Sequence, residues 1–223
     1  MTRISDDRTA VLSHNTLFQE LNAEETEAAL IRMEAHCTAY RKGETVHPVC
    51  TPFEKFGLVL SGSVNVCSDD IQGNRMLMAT VEPGNTFGES LCYLDIPEPP
   101  VYAVAFSDCQ ILWLSVRALF RDSTDPLSLC LQKRFTAMLA KRTLAMNTRI
   151  QILSKLTLRE KIMTLLSAYC EDAPSGKIIL PFQREDMAAY LGTNRSALSR
   201  ELTKMKSDGL LSFRKNIFEL KKQ

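Results

Sequence analysis

The chain has no apolar run near the ~20 residues that a membrane-spanning helix needs. No span is therefore expected from a sequence that is 45% hydrophobic and 24% charged. Its opening, MTRISDDRTAVLSHN, has no apolar secretory core, which points to the cytoplasm. Seven cysteines, at 37, 50, 67, 92, 109, 130 and 170, form no C-x-x-C pair and no Cys/His cluster of zinc-finger spacing. An odd set of thiols, most beside apolar neighbours, fits reduced core cysteines and excludes a disulfide scaffold. Also lacking are a phosphate-cradling glycine loop with lysine, a G-x-S-x-G elbow and an H-E-x-x-H pair. His14, His36 and His47 read as surface or boundary residues, and Asp69-Asp70 as a solvated loop. No catalytic residue, metal set or resident cofactor is expected, and the chain does not read as an enzyme.

What is present is unevenly spread. The net charge of +1 divides into −4 over residues 1–154 (14 Lys/Arg, 18 Asp/Glu) and +5 over residues 155–223 (13 against 8). A basic C-terminal third suits a phosphate-facing surface, since neutralised phosphates release counterions.

Within that third, Gln183–Leu211 reads as a short helix, a tight turn and a longer helix. Met187, Tyr190 and Leu191 give the first helix an apolar face, and Gly192 ends it, because glycine reaches the left-handed conformation without steric cost. Asn194 caps the second helix, whose inward face is Ala197, Leu198, Leu202 and Met205. Its outward face opens with Arg195, Ser196, Ser199 and Arg200, and Lys204 follows. This is the layout of a helix-turn-helix, which lays its second helix in the major groove. Arginine can bond two guanine acceptors, and serine a base or phosphate. Leu210–Phe213 and Ile217–Leu220, around the basic turn Arg214-Lys215-Asn216, predict a β-hairpin wing.

Upstream, a helix is expected over Leu17–Met33, with Asn22 as a cap and Leu21, Ala28, Leu30 and Ile31 facing inward. From Thr38 to Leu114 short segments alternate with Gly or Pro-Gly punctuation. Strands are expected at Phe56–Leu60, Ser63–Cys67, Arg75–Val81, Val101–Phe106 and Gln110–Leu114, with a tight turn at Ser61–Val64 and a hairpin loop at Asp69–Asn74. Pro126 to Ser154 then reads as one long helix, started by Pro126 with Asp125 or Thr124 as cap. Leu131, Phe135, Met138, Arg142, Ala145, Arg149 and Ile152 form a heptad row on it, and Leu139, Met146, Ile150 and Leu153 the neighbouring row. Two apolar rows suit one face on the sheet region and one on a second copy; a helix packed only on its own domain is the alternative. Lys155-Leu156-Thr157 reads as a hinge, with Thr157 and Glu160 as a capping box for a helix Leu158–Cys170. Glu171–Gly176 is an expected turn, and Lys177–Leu180 a strand leading to Pro181.

These pieces resemble the Crp/Fnr family of bacterial transcription regulators. RSALSRELTKM, after Asn194, sits where that family places its recognition helix. Its members commonly read bases from the positions of Arg195, Ser196, Ser199 and Arg200; many carry glutamate where this chain has Ser196. LVLSGSVNV (Leu58–Val66), VEPGNTFGES (Val81–Ser90) and CQILWLS (Cys109–Ser115) resemble the family's effector-binding β-roll of the cyclic-nucleotide-binding type.

The resemblance implies an α+β chain. Residues 1–125 would form a jelly-roll-like sensory β-roll, residues 126–154 a dimerisation helix, and residues 155–223 a winged helix-turn-helix. It implies a homodimer on a palindromic double-stranded operator, an unknown small-molecule effector, and RNA polymerase as a partner left open. In the family's cyclic-nucleotide binders a Gly-Glu pair holds the ribose, and an Arg-Ser pair further along holds the phosphate. Gly88-Glu89 matches the first, but an ungapped count back from Cys109 puts the second on Pro99-Pro100. Proline offers no side-chain donor and no N–H, and no Arg or Lys lies between Arg75 and Arg117. Cyclic AMP and cyclic GMP are therefore not expected.

The effector-pocket candidates are Gly88, Glu89, Ser90, Pro99, Pro100, Met146 and Asn147. A plainer reading gives Gly88 a strand-end bend and Glu89 a surface cation. The family's iron–sulfur sensors use N-terminal cysteines, and none precedes Cys37; its haem sensors leave Cys67, Cys92 and His47 as an alternative, alongside thiol-based sensing. A rival of another class is a regulatory subunit that controls a partner enzyme without DNA.

Overall fold

The structure is a computed structural model that describes residues 6–69, 71–72, 75–121, 124–170, 177–180 and 182–221. The expected turn Glu171–Gly176, Pro181, and Asp70, Gly73 and Asn74 of the expected hairpin loop lie outside the described residues. The chain forms two compact units, residues 1–140 and 141–223.

The first unit opens with helices α1 (Asp6–Ser13) and α2 (Ala23–Arg32). Helix α2 starts later than the expected Leu17. Asn22 accepts the Glu25 N–H and the Glu25 carboxylate accepts the Asn22 N–H, a full capping box that fixes the start. Leu17 and Phe18 are buried in the turns before it. The inner face is therefore Thr26, Ala29, Leu30 and Met33; Ala28 is exposed and Ile31 is 65% exposed.

The roll follows: β1 (His36–Tyr40), β2 (Thr45–His47), β3 (Phe56–Ser61), β4 (Val64–Asp69), β5 (Arg75–Val81), β6 (Thr86–Phe87), α3 (Glu89–Tyr93), β7 (Tyr102–Ala105), β8 (Cys109–Leu114) and α4 (Val116–Arg121). One antiparallel sheet has the order β1-β8-β3-β6 and the other β2-β7-β4-β5. The five expected strands are present; β1, β2 and β6 are additional. At the turn after β3, Gly62 has φ +71°, and a Cβ there would meet the Asp108 carbonyl oxygen, so glycine is required. Phe56, Leu58, Phe87, Ile111 and Leu114 are fully buried in the core of this unit, each side chain contributing roughly 1.5–3 kcal/mol.

Helix α5 (Pro126–Leu153) is continuous and capped by Asp125, whose carboxylate accepts the Ser128 N–H at 3.0 Å. Its Leu131, Phe135 and Met138 join the roll core, while Ile152 joins the core of the second unit. The units thus divide inside α5 rather than at 154–157, because the last turns of the helix are packed into the C-terminal core.

The second unit continues with α6 (Leu158–Cys170), β9 (Lys177–Ile179), α7 (Arg184–Tyr190), α8 (Arg195–Ser207), β10 (Leu211–Arg214) and β11 (Ile217–Leu220). Thr157 and Glu160 form the expected box: Thr157 Oγ1 accepts the Glu160 N–H, and the Glu160 carboxylate accepts the Thr157 N–H. Strands β10 and β11 make the expected hairpin, and β9 adds to β11 as a third strand.

Candidate functional site

Helices α7 and α8 are set by local chemistry. Gly192 at φ +66° closes α7, with the Thr193 N–H bonded to the Ala188 carbonyl, and the Asn194 side chain caps α8 by accepting the Ala197 N–H at 2.8 Å. Leu198, Leu202 and Met205 are fully buried against Met187, Leu191 and Phe218 in one core. That burial fixes the opposite face: Arg195, Ser196, Ser199, Arg200 and Lys204 are all exposed. The sequence-derived surface is therefore assembled on one side of α8.

Arg159 of α6 anchors this helix from behind. Its Nε lies 2.7 Å from the Glu201 carboxylate and its Nη2 2.8 Å from Asp208. The two carboxylates hold the Arg159 guanidinium above its ordinary range, Glu201 first. The end of α5 also reaches this unit: the Arg149 guanidinium lies 5.3 Å over the Tyr190 ring.

Arg214 and Lys215 lie exposed at the wing turn, where Lys215 takes φ +55°. Asn216 is spent differently, donating to the Leu180 carbonyl at 2.8 Å, which pins the turn to the chain after β9. Two further residues escape the sequence reading. Arg184 stacks over Phe213 and Phe218 at 5.2 and 5.6 Å and donates to the Lys215 carbonyl, tying α7 to the wing. Burial, and then the nearby Arg195, push its guanidinium below its ordinary value. Glu185 pairs with Arg195 at 2.9 Å. An R-E dipeptide before an apolar face is too common a pattern to have announced either.

In the roll, Gly88 caps α3 at φ +79°, and a Cβ there would lie 2.5 Å from the Phe53 ring. Phe53 stacks on His47 at 3.6 Å and meets Phe87 edge-on. Glu89 is 2% exposed, so it lies in the interior rather than on the surface, and its carboxylate accepts from Thr86 Oγ1. Ser90 and Pro100 are exposed and Pro99 is buried, its carbonyl accepting the Cys50 N–H. Met146 and Asn147 are exposed on α5. Among the described residues, no group of three or more His, Cys, Asp or Glu stands close enough to hold a metal ion, and no helix is long and apolar enough to cross a membrane.

A two-sheet roll, a long helix and a winged helix-turn-helix with an exposed basic face define a DNA-binding regulator with a cyclic-nucleotide-binding-like domain. A family model described as the cyclic nucleotide-binding domain matches residues 37–121, and one described as the Crp-like helix-turn-helix domain matches residues 160–222. The chain belongs to the Crp/Fnr family of transcription regulators, which bind DNA through this motif and act as dimers. The cyclic AMP receptor protein of Thermus thermophilus is 26% identical over 200 residues, 87% of each chain. The crystal structure of the catabolite activator protein of Thermus thermophilus matches with a TM-score of 0.52 and 23% identity, over 93% of this chain and 94% of that one. The c-di-GMP responsive global regulator CLP of Xanthomonas campestris matches with a TM-score of 0.54 and 21% identity, over 91% and 100%. Likenesses to structures at this identity speak to the fold.

Proposed function

We propose that the chain is a cytoplasmic, homodimeric regulator that binds a palindromic operator and responds to an effector other than cyclic AMP. The carrying observation is the single exposed face formed by Arg195, Ser196, Ser199 and Arg200. Arg195 and Arg200 contact base edges, Ser196 and Ser199 bases or phosphates, and Asn194, Lys204, Arg214 and Lys215 the phosphate backbone. Asn194 keeps its amide N–H groups for this, because the cap uses only its oxygen.

The signal enters through the roll around Gly88, Glu89 and Ser90. A relative is named for cyclic AMP, but here Pro99-Pro100 stands where an anion would need donors, and a cyclic phosphate needs charge-assisted bonds. A bound effector shifts the population of α5 poses. Arg149 on Tyr190 and Ile152 in the C-terminal core then pass the shift to the helix-turn-helix, together with Lys155–Thr157.

A haem signal is the rival. His47 Nε2 meets the Thr51 carbonyl at 2.9 Å, and Cys67 accepts from Arg75 Nε at 3.1 Å, so a haem on His47 would take Nδ1 or displace that bond. A Soret band in the freshly purified protein would favour that rival. The main test is selection of bound duplexes from random DNA, with and without cell metabolites. A palindromic consensus supports the proposal; failure to enrich any sequence under either condition contradicts it and favours a regulatory subunit that works without DNA.

A further inference from the structure

Glu185 is an acid on the surface that has to approach a polyanion. Its carboxylate Oε1 lies 2.9 Å from Nη1 of Arg195, and the two side chains are 61% and 66% exposed. With Arg184 and Lys215 the pair lines an open cavity of about 390 Å³ between α7 and the wing. Acids in the first turn of a helix complement its dipole, but Asp186 occupies the same turn. The dipole alone therefore does not account for Glu185 meeting the leading arginine of the recognition helix. The depressed guanidinium of Arg184 has Arg195 as its second cause, after burial. Glu185 thus sits where two cations approach each other.

We propose that Glu185 is a specificity-determining residue that withholds Arg195 from phosphates while leaving it free to read a base. The proposal rests on the reading of Arg195 as a base contact. A paired arginine presents no net charge to a nearby phosphate, so it releases no counterion and adds nothing to non-specific binding. The carboxylate holds Nη1 and leaves the edge formed by Nε and Nη2. That edge is one of the two guanidinium forks that can match O6 and N7 of guanine, and the ion pair leaves it open. A sequence-specific contact is thus compatible with the ion pair, whereas phosphate neutralisation is suppressed by it. The device lowers affinity for arbitrary DNA more than affinity for the operator, which is how a negative element produces discrimination.

The test compares E185Q, R195A, the double variant and D186N in the full chain. The probes are the duplex selected from random DNA and an unrelated duplex, titrated over a range of salt concentrations. E185Q is expected to bind the unrelated duplex roughly five- to tenfold more tightly near ~0.1 M salt, with a log–log salt slope steeper by about 0.9, the signature of one added phosphate contact. Operator affinity should change much less, so discrimination falls. In the R195A background the E185Q effect should vanish, and D186N, which removes the same charge one residue along, should not reproduce it. An equal shift on both duplexes, an undiminished effect without Arg195, or the same effect from D186N overturns the proposal. R195A with unchanged operator affinity is a different failure: it removes the reading of Arg195 itself.

Discussion

Asn194 Oδ1 accepts the backbone N–H of Ala197 at 2.8 Å, and this bond begins the helix that carries Arg195, Ser196, Ser199 and Arg200. Loss of that cap leaves an orphan N–H at the start of α8. N194A is expected to cost about 1 kcal/mol of stability, measured by urea unfolding. N194S, which keeps an acceptor, should retain most of it. Equal losses in both variants would show that the side chain matters for something other than capping.

His47 makes the stability of the roll depend on pH. Burial lowers its folded value below 6.5, against the opposing hydrogen bond with the Thr51 carbonyl. The unfolded chain then takes up the proton first. Stability is full above about 6.5 and falls as pH drops from there towards the lower folded value, levelling off below it. His36, lowered by burial and by Lys55, acts with the same sign. Unfolding midpoints measured at about pH 7.5 and about pH 5.5 should differ less for H47Q than for the unmodified chain. An identical difference would mean that His47 carries no part of the dependence.

The two rows on α5 separate only in part. Leu131, Phe135, Met138 and Ile152 of the first row are buried, but its Arg142, Ala145 and Arg149 are exposed. Leu139 of the second row packs against the roll core, whereas its Met146, Ile150 and Leu153 are 59%, 62% and 38% exposed. The exposed apolar side chains of the second row are the ones offered to another copy. I150E is expected to give a monomer by sedimentation and to weaken operator binding on the order of 10²-fold, because two half-sites are no longer engaged together. A dimer with full affinity would place the contact elsewhere.

The parts legible in the sequence were those fixed by neighbours along the chain. Gly192 as a stop, Asn194 as a cap, Thr157 with Glu160, and the apolar repeats of the wing each act within a few residues, and each stands where it was expected. The start of α2 misled because Leu17, Phe18 and Leu21 continue an apolar pattern through turns that precede the cap. Strand β1 was missed as His-Cys-Thr-Ala-Tyr, a half-polar stretch whose pairing with β8 is supplied from far along the chain. Distance also hid the burial of Glu89, the two-pronged grip of Arg159 on Glu201 and Asp208, and the Glu185–Arg195 pair. Residue types alone do not say which charges will meet.

Alanine replacement of Arg195 and of Arg200, each measured on the duplex selected from random DNA and on duplexes altered one base pair at a time, tests the central claim most directly. The account predicts that each variant loses about 1–3 kcal/mol on the selected duplex and relaxes base preference at its own position. Unchanged affinity and unchanged base preference in both variants would contradict it.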